Sequence, residues 1–154
     1  MAYEVPRAVV DAFYKAYAVR DGKKIAEFLD DDVVWTISGP VGLMPFCGTH
    51  RGKADVLDLI ARRMPAVRRV FSFVPESIVV EGDRVAMLSR MSARRTADDR
   101  VISYRVANFM RFRDGKVVEN LSLIDSFDAV EQVLGHPLAV HGGHRADTGN
   151  LVAV

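Results

Sequence analysis

The chain has 154 residues, 49% of them hydrophobic and 27% charged, enough apolar content for one domain with a true core. A formal net charge of +1 argues against a nucleic-acid-binding protein, and a single cysteine, Cys47, excludes an internal disulfide and is compatible with a cytoplasmic setting. No uninterrupted apolar run approaches the roughly 20 residues of a membrane helix, and MAYEVPRAVV has no signal-peptide core.

Pro6 suits the first turn of a helix, and Val9, Val10, Phe13, Tyr14 and Tyr17 follow at helical spacing. Asp21-Gly22 ends that helix, with Gly22 as a left-handed cap. A second short helix buries Ile25, Phe28 and Leu29, and Asp30-Asp31-Asp32 reads as a solvated turn. Val33 to Ser38 is a strand by its β-branched and aromatic content. Gly39 to Gly52 is too rich in Gly and Pro for a helix or a central strand, yet it carries Val41, Leu43, Met44 and Phe46. An apolar loop should cover something, and a lid over a pocket mouth is the expectation. Lys53 to Met64 is an amphipathic helix stopped by Pro65.

The period then switches to two. Val67 to Glu81 is a strand interrupted at Pro75, which implies a bulge or an edge. Gly82-Asp83 turns it into Arg84 to Arg95, and Thr96 to Asp99 turns again. Val101 to Asp125 forms a long hairpin about Asp114-Gly115, a pair suited to a turn with two positive φ angles. A last helix covers Phe127 to Leu134, with Gly135 as its stop. Residues 1–135 are expected to form one domain and 136–154 a tail. His136, His141 and His144 lie in that tail with no rigid frame for a metal, and nothing in the chain calls for a cofactor.

The order of elements predicts the α+β class: a curved antiparallel sheet, its last four strands a meander, packed against N-terminal helices. Such a sheet makes a cone whose open end is a natural ligand pocket. Asn108 is disfavoured in the middle of a strand, so an inward Asn108 needs a ligand, a water or a neighbour. Strict alternation then turns Tyr104, Val106, Met110 and Phe112 inward with it. Asp125 follows Leu-Ser-Leu-Ile, either as a carboxylate in an apolar pocket or as a cap for the last helix. Tyr14, Tyr17 and Trp35 are core aromatics or pocket walls. His50 is a candidate acid or base, or a structural residue of its loop. Arg90 is placed to pair with Asp125 or a substrate oxygen, or to face solvent.

Several motifs along Tyr14 to Leu134 resemble the nuclear-transport-factor-like superfamily, nearest to its SnoaL-like polyketide cyclases and ketosteroid-isomerase-related proteins. They are Arg-Asp-Gly after the first helix, Leu-Asp-Asp-Asp-Val-Val-Trp, His-Arg-Gly, Arg-Phe-Arg-Asp-Gly-Lys-Val-Val-Glu and the closing Ile-Asp-Ser-Phe-Asp. The resemblance implies a cone-shaped, cystatin-like α+β barrel. Against the steroid isomerases, Ile37 falls at the catalytic base and Phe13 at the helix tyrosine, with Tyr14 beside it. Asn108 falls at the second oxyanion donor, where it can donate without a shifted pKa. The cyclases and limonene-type epoxide hydrolases place an acid at Asp125. The hydrolases also have an Arg-x-Asp that reads Arg90-Met91-Ser92 here, and an Asn that is Ser38.

The resulting expectation is a cytoplasmic homodimer, paired through the outer face of its sheet, that binds a hydrophobic oxygenated small molecule. Its chemistry would be cofactor-independent proton transfer of the isomerase, cyclase, dehydratase or hydrolase type. Asp125 is the expected base, and Asn108 with Tyr14 or Arg90 the oxyanion holder. Tyr14, Tyr17, Trp35, Ser38, His50, Tyr104 and Met110 would contact substrate. The alternative is a non-catalytic binding or assembly module of the same fold.

Overall fold

The computed structural model describes residues 2–139. The heptad-like spacing of the first segment builds α1 (Arg7–Ala18), which buries Val10, Phe13 and Tyr14, with Pro6 at its N-cap. The helix ends differently from the expectation. Arg20, not Gly22, takes the left-handed conformation, at φ 57°. The Asp21 side chain instead accepts from Lys24 N at 3.1 Å and caps α2 (Gly22–Glu27), which therefore starts at once.

β1 (Leu29–Ser38) begins before the expected strand and takes in the three aspartates, with a register shift between Leu29 and Val34. Part of the Gly/Pro-rich loop is also strand. β2 (Gly48–Arg51) pairs antiparallel with β1, and an edge position asks little of it in β propensity. α3 (Lys53–Asp58) does not stop at Pro65. A π-helical turn at Leu59–Arg63 restarts the ladder, so Pro65 sits in the first turn of α4 (Met64–Val67), where its missing N–H is not needed.

The four late strands form the expected meander: β3 (Arg68–Glu81), β4 (Arg84–Arg95), β5 (Val101–Arg113) and β6 (Lys116–Ile124). β3 shifts register at Pro75–Ser77, as a proline inside a strand requires. Asp114 and Gly115 turn the last hairpin with φ of 51° and 77°. α5 (Ser126–Leu134) ends at Gly135, which has φ 80°. The sheet is not wholly antiparallel, because β1 lies parallel to β6 in the order β2-β1-β6-β5-β4-β3. It is curved but unclosed, since β2 and β3 form two separate edges, so it is not a complete barrel.

Strand alternation puts Trp35, Met87, Met91, Tyr104, Met110 and Phe112 on the inner face, where they pack on Phe13 and the helices. The outer face is left uncovered. Val79, Ala86, Phe109 and Leu121 are successive register partners across β3, β4, β5 and β6, and Leu88, Ala107 and Leu123 form a second such row. Val79, Leu88, Phe109, Leu121 and Leu123 are exposed there.

Candidate functional site

A cavity of about 370 Å³ opens between the Gly39–Gly52 segment, α4, the β4–β5 turn and α5. Leu43, Met44, Phe46, Ile102 and Val133 give it apolar walls. The segment expected to act as a lid does line this mouth, with Met44 and Phe46 almost wholly buried. Arg68 and Tyr104 supply the deeply placed polar groups. Arg68 is only 6% exposed, and its Nη1 donates to the Tyr104 hydroxyl. The guanidinium lies 4.0 Å from the Phe46 ring centroid and 5.7 Å from that of Tyr104, which holds its plane in place.

The charge on Arg68 is not answered. No carboxylate of the described residues pairs with it, and its Nε is buried with no acceptor. Its register partner across the strands is another cation, Arg95. Arg95 pairs with Asp98 at 2.8 Å and donates to the Val133 carbonyl at 2.8 Å. A buried guanidinium without a counterion is costly unless something else supplies negative charge or acceptors. Burial pushes the Tyr104 phenol above its ordinary pKa, against the opposing pull of Arg68, so Tyr104 is a donor at neutral pH. Burial likewise raises the Cys47 thiol, again opposed by Arg68.

The expected catalytic residues do not come together. Asn108 faces inward, but its Nδ2 donates to Ser122 Oγ at 2.7 Å and lies 3.5 Å from Asn120 Oδ1. Neighbours thus satisfy that amide nitrogen. Arg90 is on the opposite face of the sheet, paired with Glu76 at 3.4 Å, because it alternates with inward Ser89 and Met91. Asp125 is exposed rather than set in an apolar pocket. Its N–H donates to the Arg105 carbonyl at 3.0 Å, and its side chain makes no cap bond to α5.

Among the expected contact residues, Tyr104 lines the cavity. Tyr14 and Trp35 are core, and the Tyr14 hydroxyl and Trp35 Nε1 are buried without partners. Tyr17 stacks on Trp35 at 6.1 Å, and Met110 is buried in the core. Ser38 is exposed beside Gly39 and Pro40. His50 is buried: its Nε2 lies 3.1 Å from the Phe46 carbonyl, and Asp55 and Arg63 flank Nδ1 at 3.6 Å and 3.5 Å. It anchors the mouth segment from behind. No metal-ligating cluster of side chains occurs among the described residues.

Arg68 is not among the expected site residues, although its doublet with Arg69 reads as either a solvated strand edge or a local anion patch. A signal existed: Arg68-Arg69 and Arg94-Arg95 are doublets in strands, and successive strand residues point to opposite faces. One arginine of each pair therefore had to turn inward, and Arg68 and Arg95 do.

The model of the SnoaL-like domain family matches residues 10–120. A proposed isomerase from Rhodopseudomonas palustris is similar at 32% identity and a TM-score of 0.73, over 82% of this chain and 93% of that one. TerC, crystallised with polyporic acid, aligns at 20% identity and a TM-score of 0.69, over 82% and 96%. An epoxide hydrolase of limonene-hydrolase-like type from M. tuberculosis aligns at 19% identity and a TM-score of 0.67, over 83% and 88%. No curated protein is a significant match to the chain.

Proposed function

The chain belongs to the SnoaL-like domain family, and on that premise we propose that it binds a hydrophobic, oxygenated small molecule in the mouth of its curved sheet and catalyses cofactor-independent proton transfer on it. One observation carries this: a buried Arg68, without a carboxylate partner among the described residues, donates to Tyr104 at the floor of an apolar cavity. The ligand's apolar body lies against Leu43, Met44, Phe46 and Ile102. Its oxygen accepts from the guanidinium and shares the Tyr104 hydroxyl. When a water molecule at the open mouth takes the proton from the carbon beside a carbonyl and passes it to solvent, negative charge grows on that oxygen. Fixed donors in a water-poor site stabilise that charge more than the neutral carbonyl. Asn108, Arg90 and Asp125 do not line this cavity. TerC, a structure of the same fold, was crystallised with the oxygenated ligand polyporic acid, which fits the same class of guest.

Deuterium exchange into small ketones and 1,3-diketones in D2O, followed by NMR, tests the chemistry without a known substrate. Wild type and Asp125→Asn should exchange alike, and Arg68→Met should lose at least tenfold. Exchange that vanishes in Asp125→Asn and persists in Arg68→Met would overturn the assignment. The second reading, a non-catalytic binding module, is favoured by a specific fact. No carboxylate or histidine lines this cavity among the described residues. Ligand-induced thermal shifts with no exchange would select it.

The partner in this proposal is a second copy of the chain, seated on the uncovered outer face of the sheet. Its apolar rows are flanked by the Arg90–Glu76–Arg105 and Arg111–Glu119 pairs, mixed charges that can face their own symmetry copies.

A further inference from the structure

Two arginines and no carboxylate line the mouth cavity among the described residues. They differ in how their charge is met. Arg95 pairs with Asp98, a carboxylate that also takes Arg100 at 2.6 Å. Arg68 has no such partner. Nor do the weakly acidic groups that feel its charge, the Cys47 thiol and the Tyr104 phenol, supply one. Burial raises both above their ordinary values, so both are neutral at neutral pH. The Arg68 guanidinium is held in place against the Phe46 ring and by its hydrogen bond from Nη1 to Tyr104. Its Nε is enclosed, whereas Nη2 is neither enclosed nor hydrogen-bonded among the described residues. The other polar groups of the wall are committed. Thr96 Oγ1 donates to the Ala66 carbonyl at 2.7 Å, and Arg95 Nη1 is shared between Asp98 and the Val133 carbonyl. One cationic donor is thus left open in an otherwise apolar chamber.

We propose that the mouth cavity selects organic monoanions, and that its guest is a hydrophobic molecule ending in a carboxylate held on Arg68. This deepens the binding reading above and rests on it for the place of the site, but not for the chemistry. A carboxylate accepts hydrogen bonds and donates none, and its plane suits a guanidinium. It also brings the negative charge that the fold does not supply to Arg68. Salt screens a partly buried pair much less than an exposed one, so the preference for charge should persist at ordinary ionic strength. A carboxamide of the same shape brings no charge and turns N–H donors toward a cation. An enolate formed in the cavity would carry the same charge in the same place, so a carboxylate resembles the anionic state of the proposed reaction.

The test is calorimetry on the full-length chain with 2-naphthoate and 2-naphthamide, which share an apolar body and differ in charge, at constant ionic strength. Wild type should bind the carboxylate at least tenfold more tightly than the amide. Arg68→Met should bring the two within twofold of each other, and Arg68→Lys, which restores the charge, should recover part of the preference. Ala97→Trp adds bulk at an exposed position of the cavity wall without altering its charge. It should weaken both ligands at least fivefold and keep their ratio. Equal affinity of wild type for the two ligands, a preference that survives Arg68→Met, or 2-naphthoate binding unchanged in Ala97→Trp would each overturn the proposal. The wild-type ratio and the Ala97→Trp result decide the matter even where Arg68→Met does not fold. Failure here is distinct from failure of the proton-transfer reading. A carboxylate preference without deuterium exchange leaves this site standing and removes the chemistry, and Arg68-dependent exchange without the preference does the reverse.

Discussion

Arg68 and Tyr14 show how two buried polar side chains on one core face have different consequences. Arg68 has part of its hydrogen-bonding capacity met by Tyr104, and it stands in the wall of a cavity. The Tyr14 hydroxyl is buried with no partner at all. Tyr14→Phe should therefore raise stability at neutral pH by about 1 kcal/mol in urea unfolding, because it removes an unpaired polar group without opening a cavity. A loss of stability on that substitution would mean that the hydroxyl has a partner after all. Its titration carries a second expectation. Burial, then the proximity of Tyr17, holds the Tyr14 pKa above its ordinary 10.0. The folded state thus keeps the proton more tightly than the unfolded chain. That contribution is fully present below about pH 10 and is lost as pH rises through the folded value. Tyr14→Phe should flatten the alkaline fall in stability, as followed by circular dichroism from pH 9 upward.

At the scale of elements, the Gly39–Gly52 segment matters most, because it joins two strands and forms one wall of the mouth. It is pinned at both ends. Phe46 is held by His50 from behind and by Arg68 in front. At Gly39, an added Cβ would lie 2.7 Å from Cys47 Sγ and 2.9 Å from Ile124 Cδ1. Gly39→Ala should destabilise the fold by roughly 1–3 kcal/mol, since the nearer neighbour is the buried Cys47 thiol, which must be displaced. It should also weaken ligand-induced thermal shifts, because the wall carrying Met44 and Phe46 must move. Wild-type stability in that variant would show that the segment tolerates displacement.

The whole molecule is shaped by where its helices lie. They cover the inner face of the sheet and leave Phe109, Leu88, Leu121 and Leu123 exposed on the other. Under the proposed pairing of two copies through this face, Phe109→Glu would bury two new carboxylates at a symmetric contact. Sedimentation should then give a monomer for the variant and a dimer for wild type at micromolar concentration. A monomeric wild type would remove the pairing. No described helix is long and apolar enough to cross a membrane.

Much of this was legible along the chain. The meander, the bulge at Pro75, the Asp114-Gly115 turn and the inward row from Tyr104 to Phe112 all follow from local rules: alternation, proline's missing donor and positive φ. These act between near neighbours, so the sequence by itself determined them, together with the SnoaL-like family. The parallel contact of β1 with β6, the edge strand hidden in the Gly/Pro-rich segment, and the π-helical turn that carries the helix past Pro65 depend on distant partners. So does the site. Whether Asp125 is buried or exposed, and which arginine of a doublet loses its counterion, is decided by how helices, turns and strand edges meet in space. Burial and charge compensation are properties of that packing, and local periodicity could specify only which face each side chain would present.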